Sequence, residues 1–158
     1  MAPVAEMEPE QWSRVLGVNL TGTFLCSRAL FEPLRAAGGV AVNVASTRAF
    51  QSARGRAAYA VSKAGIVMLT QVLGLEWAAN GIRVVAIAPG YVRTPMVQHQ
   101  LEIGGLRKDV ILGNTPLGRM AEPEEIAGLV LALAGTTFSF MTGTTLVFDG
   151  GWLANSLL

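Results

Sequence analysis

Residues 82–90 read Ile82-Arg83-Val84-Val85-Ala86-Ile87-Ala88-Pro89-Gly90. Apart from Arg83 the run is apolar up to Ala88, without the polar alternation of a half-exposed strand. That pattern belongs to a short strand covered on both faces, as in a parallel sheet. Pro89-Gly90 breaks it. A second run of small and β-branched residues, Val40-Ala41-Val42-Asn43-Val44-Ala45, lies upstream and ends in Ser46-Thr47. Between the two, residues 57–79 show helical spacing of Val61, Ile66, Leu69, Leu73 and Trp77, with Asn80-Gly81 as the stop. Two strands joined through a helix are expected to be parallel, with a right-handed crossover.

Outward from this unit the pattern continues. Glu122-Pro123-Glu124-Glu125 suits a helix N-terminus, with an early proline and acids in the first turn; the helix runs to Ala134. Thr144 to Phe148 reads as a third strand, closed by Asp149-Gly150-Gly151. Residues 91–117 read as the least regular region, a lid or binding loop after a strand's carboxyl end. Pro9 opens a segment with Trp12, Val15, Leu16, Leu20, Phe24 and Leu25 at helical spacing, ending near Ala37 before Gly38-Gly39. Gly17, Gly22 and Pro33 predict that this helix is bent or uneven. The order helix, strand, helix, strand, lid, helix, strand predicts an α/β fold with a parallel sheet, residues 1–158 forming a single unit.

With 158 residues, 51% of them hydrophobic, and a mean hydropathy of +0.44, the chain can bury a sizeable core. Its formal net charge is +1 and its basic residues are scattered, so nothing in the charge pattern points to nucleic acid or an anionic membrane surface. The N-terminal residues lack a basic region followed by an apolar run, and no uninterrupted apolar stretch reaches about 18 residues, so neither a signal peptide nor a membrane span is expected. The one cysteine, Cys26, reads as a small buried hydrophobe and cannot form an internal disulfide, in keeping with a reducing, cytoplasmic setting.

Chemistry enters at Tyr59-Ala60-Val61-Ser62-Lys63. A tyrosine four residues before a lysine shares a helical face with it. A free phenol has a pKa of about 10. A fixed ammonium beside it favours phenolate and makes a proton donor and acceptor usable near neutrality. The same spacing occurs on ordinary helices, so the surrounding residues carry the decision. His99 is the only histidine, which leaves little basis for a histidine metal cluster or a serine–histidine triad, and no metal site is expected. Asp149, before Gly150-Gly151, suits a turn. Arg48 and Arg93 are candidates to meet an anionic substrate or a cofactor phosphate; Tyr91, Met96 and Trp152 are candidate pocket residues. For each of these, solvation or packing is the commoner use.

Taken together, the motifs resemble the short-chain dehydrogenase/reductase family. Tyr59 and Lys63 match its YxxxK pair, and Ser46 lies thirteen residues before Tyr59, after a strand reading NVAS. Asn19, in VNLTGTF, matches the family's asparagine. Pro89-Gly90-Tyr91-Val92-Arg93-Thr94 matches PGxVxT. Pro116-Leu117-Gly118-Arg119, the PEEIA segment, and Thr142-Gly143 leading to Asp149-Gly150-Gly151 match its C-terminal pattern. The resemblance implies a partial Rossmann-like, doubly wound parallel sheet, about the last three strands with flanking helices. It implies NAD or NADP as cofactor and a small-molecule alcohol or carbonyl as substrate. Asn19, Ser46, Tyr59 and Lys63 would be catalytic; Tyr59, Lys63, Pro89, Gly90, Val92 and Thr94 would meet the cofactor.

The family's TGxxxGxG and NNAG motifs have no counterpart here, and no glycine cluster follows a strand and opens a helix. The expectation is therefore the C-terminal part of such a domain, with on the order of 80 residues of strand–helix units wanting at ~30 per unit, and little or no activity alone. The alternative expectation is a non-catalytic assembly module. The resemblance implies a homo-oligomer through helices 9–37 and 57–79, with Phe24, Leu30, Leu69 and Trp77 as candidate contacts.

Overall fold

A computed structural model describes residues 2–155. Three strands form one parallel sheet in the order β1 (Val40–Val44), β2 (Arg83–Pro89), β3 (Thr144–Phe148). Val40 pairs with Arg83, Val44 with Ile87, and Pro89 with Phe148. α1 (Pro9–Leu16) and α2 (Gly22–Ala37) precede β1, and α3 (Ala57–Trp77) crosses from β1 to β2. α4 (Pro95–Glu102), α5 (Lys108–Asn114) and α6 (Pro123–Ala134) lie between β2 and β3.

Residues 84–88 of β2 are completely buried, and their alternation assigns the two faces of the sheet. Val84, Ala86 and Ala88 pack with Ile66, Leu73 and Trp77 of α3, while Val85 and Ile87 pack with Leu133 of α6. Helices thus cover both faces, as a doubly wound sheet requires. Arg83, the one polar residue of the run, is used at the edge of this core. Its guanidinium donates to the carbonyl of Leu133 (2.9 Å), in the last turn of α6, and to that of Phe138 (3.0 Å) in the loop beyond. Leu133 O is one of the carbonyls that the helix end leaves without an intrahelical partner, at the negative end of its dipole.

The expected uneven N-terminal helix is a π turn, Gly17–Thr21, set between α1 and α2. Gly38 ends α2 in the left-handed conformation (φ 60°), where a Cβ would be strained, and Gly39 N–H bonds back to Leu34 O. Two expectations are corrected. Residues 91–117 are not irregular: α4 and α5 lie within them. Thr94 Oγ1 caps α4 by accepting from Val97 N–H, and Pro95 stands at its first position, a start signal that the surrounding glycines obscured. Cys26 is not buried but exposed, because α2 turns its Ser27 side inward. Residues 57–80 are long and apolar enough to cross a membrane by composition, with a mean hydropathy of 1.4. The segment carries Lys63 and Glu76, and its buried positions pack on the sheet.

One polar pair lies within the core. Asn43 Nδ2 donates to Thr70 Oγ1 (2.9 Å), which donates to Ile66 O (2.8 Å), and both residues are buried. Thr70→Val keeps the shape and strands the Asn43 amide. It is expected to lower stability by about 1–3 kcal/mol in urea unfolding, with Thr70→Ser close to the parent. At the start of α6, Glu125 accepts from Glu122 N–H (2.8 Å) and from both terminal nitrogens of Arg119, which lower its pKa to about 2. Stability from this lowered value is complete above the unfolded glutamate pKa of about 4.3 and is lost as pH falls toward about 2. Glu125→Gln should therefore melt earlier than the parent at pH 7 in a thermal scan, with the difference closing by pH 2.

Candidate active site

The register of the sheet places the carboxyl ends of its strands at one rim. Val44 is level with Ile87, so Ser46, two residues on, is level with Pro89, which pairs with Phe148. Ligands of parallel sheets collect outside such a rim. Ser46 is buried there, and its Oγ accepts from Arg48 N–H (3.2 Å), capping the short 3-10 turn Thr47–Ala49. That bond holds the hydroxyl as acceptor and leaves its proton available to a partner outside.

Tyr59 and Lys63 lie in the first two turns of α3, with Lys63 Nζ 5.7 Å from the centre of the Tyr59 ring. The ammonium donates to Val44 O (2.8 Å), tying the start of α3 to the end of β1. One of its three donors is used. Burial lowers the pKa of Lys63 from the ordinary lysine value, since desolvation disfavours the charged form.

Asn19 reaches the same place from the other side. It lies within the π turn, where its carbonyl accepts from Thr23 Oγ1 (2.7 Å) and its Nδ2 donates to Ser62 Oγ (3.0 Å). Ser62 is fully buried and donates to Tyr59 O (2.7 Å). Close packing of the two segments depends on Gly65, where a Cβ would lie 2.8 Å from the Leu20 side chain. Ser62 was not singled out in the sequence. Its signal was a small polar residue at a position whose helical face is otherwise apolar.

The segment after β2 is rigidly held. Gly90 passes so close to the loop after β3 that a Cβ would lie 2.9 Å from Asp149 Cα. Val92 bridges Ala121, and its carbonyl accepts from Thr94 N–H (2.8 Å). Thr94 begins α4, so its hydroxyl stands at a helix N-terminus. Free donors on Lys63, the Thr94 hydroxyl and the Val92 main-chain N–H are the chemistry that one end of a dinucleotide, from the nicotinamide and ribose toward the phosphates, requires. Among the described residues no glycine-rich strand-to-helix loop offers a cradle for the pyrophosphate. The residues thus fit one end of the cofactor.

Other candidates divide clearly. Asp149 accepts from Gly151 and Leu153 N–H (both 2.8 Å) and is a turn residue. His99 and Met96 are exposed on α4. Arg93 is paired with Glu122 (3.1 Å). Tyr91 and Trp152 meet edge to face at 5.2 Å beside a cavity of about 400 Å³, into which Arg48, Leu106, Ile111 and Asn114 also project. Gln51, which the sequence did not mark, fixes this corner by accepting from Trp152 Nε1 (2.8 Å). Among the described residues no cluster of three potential metal ligands occurs.

Residues 1–153 match the family model described as enoyl-(acyl carrier protein) reductase. A protein of Sinorhizobium fredii, named an uncharacterized short-chain type dehydrogenase/reductase, is 45% identical over 98% of this chain and 28% of its own length. The cis-4-hydroxycyclohexanecarboxylate dehydrogenase of Sinomonas cyclohexanicum is 39% identical over 97% of this chain and 61% of its own. A crystal structure from Agrobacterium tumefaciens, of a protein assigned provisionally as a 2-deoxy-D-gluconate 3-dehydrogenase and holding NADP, superposes with a TM-score of 0.90 at 38% identity, covering 97% of this chain and 63% of that one. This chain therefore spans less than two thirds of the length of each of these relatives. With the fold, the ordered motifs and these matches in agreement, the chain belongs to the short-chain dehydrogenase/reductase family.

Proposed function

We propose that this chain supplies the proton-transfer half of an NAD- or NADP-dependent oxidoreductase that interconverts a secondary alcohol and a carbonyl. The observation that carries the proposal is that bonds through Ser62 and Val44 O tie Asn19, the Tyr59 main chain and Lys63 together, with Ser46 two residues beyond Val44 at the carboxyl end of β1. The relatives named for hydroxy-acid and sugar-acid oxidation support the reaction class. A bound nicotinamide would supply or accept the hydride.

The chain's own residues do the rest. In reduction Tyr59 Oη donates its proton to the carbonyl oxygen as negative charge develops there; in oxidation it takes the hydroxyl proton. Ser46 Oγ–H hydrogen-bonds the reacting oxygen. Lys63 stabilises negative charge left on the phenol oxygen and offers its free donors to a ribose hydroxyl. Asn19 main chain holds a water that passes the proton on toward solvent. Pro89, Gly90 and Val92 form the wall that orients the nicotinamide, Val92 offering main-chain groups to its carboxamide, and Thr94 lies toward the pyrophosphate. The chain acts as the C-terminal part of one nucleotide-binding domain in the cytoplasm. By itself it holds the cofactor weakly and turns over little or not at all, because positioning a dinucleotide needs an anchor at its far end.

The test has two arms. The purified chain, titrated with NADH and NADPH and assayed on a panel of secondary alcohols, is expected to show no efficient turnover. Fused behind a TGxxxGxG half from a family member, it is expected to oxidise alcohols. In that fusion Tyr59→Phe should lower kcat by about 10²–10⁴ with cofactor affinity little changed. An unchanged rate in the Tyr59→Phe fusion would remove the catalytic assignment.

A second reading, an assembly module, is favoured by exposed apolar side chains. Phe24, Leu25 and Leu30 on α2, and Met68, Val72 and Leu75 on α3, all face outward, Leu75 at 81% exposure. Of the other two expected contacts, Trp77 is buried in the core and Leu69 packs partly buried against it. A homo-oligomer through α2 and α3 would cover this surface. Light-scattering mass should report more than one chain, and Leu75→Glu should shift it to the monomer; a monomeric parent protein would end this reading.

A further inference from the structure

The cavity that Arg48 lines, two residues beyond Ser46, carries a charge pattern that the acid–base residues do not explain. Among the described residues, two cationic side chains line it, Arg48 and Arg107, and no acidic one. Arg107 is already engaged by Asp109, through both Nε and a terminal nitrogen. Arg48 is engaged on only one donor, by a long bond to Ser52 O (3.4 Å). Its guanidinium lies 5.6 Å from the centre of the Trp152 ring, whose indole is fixed by Gln51. A guanidinium held over an aromatic ring has a set plane and an edge of free N–H groups, the geometry that receives a carboxylate in two parallel bonds. Its backbone N–H bonds Ser46 Oγ, so this anchor and the Ser46 hydroxyl belong to one short turn. The facing walls, Tyr91, Leu106, Val110, Ile111 and Trp152, are chiefly apolar.

We infer that this cavity takes a secondary alcohol or ketone that bears a carboxylate on a compact apolar body, with Arg48 as the residue that holds the carboxylate. The inference rests on the oxidoreductase reading for the alcohol, and on the cavity alone for the anion. About 400 Å³ suits a small ring or branched chain with its carboxylate. Arg48 is a specificity-determining residue. It acts on the far end of the substrate and moves no proton.

The test is binding to the whole chain of two probes of equal shape, cyclohexanecarboxylate and cyclohexanecarboxamide, read from the Trp152 indole N–H resonance. The acid is expected to bind at least fivefold more tightly than the amide. Arg48→Gln should abolish that preference, and Arg107→Gln should keep it. A smaller preference in the parent protein, or one that survives Arg48→Gln, overturns the assignment. The acid–amide comparison needs no variant, so it decides even where Arg48→Gln fails to fold. Neither probe carries an oxidisable carbinol. Failure here therefore leaves the Tyr59 assignment standing, while failure of the Tyr59→Phe experiment leaves the anion site standing.

Discussion

Burial of β2 on both faces is the constraint on which the other features depend. Five consecutive residues, Val84 to Ala88, are closed off from solvent by α3 on one side and α6 on the other. A strand so placed must satisfy its backbone through neighbours on both edges, and β1 and β3 supply them in parallel. Parallel pairing runs all three carboxyl ends to the same rim. The site is a consequence: Ser46, Pro89 and the Asp149 turn are level because the register makes them so.

The residues proposed for proton transfer are then held by bonds that serve the fold as well. Lys63 joins α3 to β1 through Val44 O, and Asn19 joins the π turn to α3 through Ser62. A π turn adds a residue to the helix and disturbs its bonding ladder, which explains why a polar residue sits there and why Thr23 covers one carbonyl lone pair of Asn19. Rigidity and chemistry draw on the same few side chains.

The outer edge of β1 contrasts with this economy. Val44 is exposed, and Val40 and Val42 border an open groove of about 610 Å³ with Val18, Leu30 and Leu34. The alternation of a parallel strand turns the main-chain groups of Val40, Val42 and Val44 away from β2, and of these Val44 O is taken by Lys63. An apolar, unpaired strand edge favours association. The exposed faces of α2 and α3 have the same tendency.

The sequence alone determined the α/β class, the three strands and the order of the helices, because unbroken apolar runs and 3.6-residue periods are local properties. It also determined the family, since the motifs are short and ordered. α4 and α5 escaped it: their glycine-rich surroundings hid a Thr-Pro start whose capping bond exists only once folded. The exposure of Cys26 and the burial of Trp77 escaped it too, because which side of an apolar helix faces the sheet is set by packing. Ser62 and Gln51 join the candidate site only through partners 43 and 101 residues away in the chain. Tertiary structure likewise decided between two arginines that look alike in sequence, pairing Arg93 with Glu122 while the Arg48 side chain, among the described residues, donates only a long bond to Ser52 O. Charge neutralisation and cavity shape are properties of neighbours in space, which no local pattern of residues encodes.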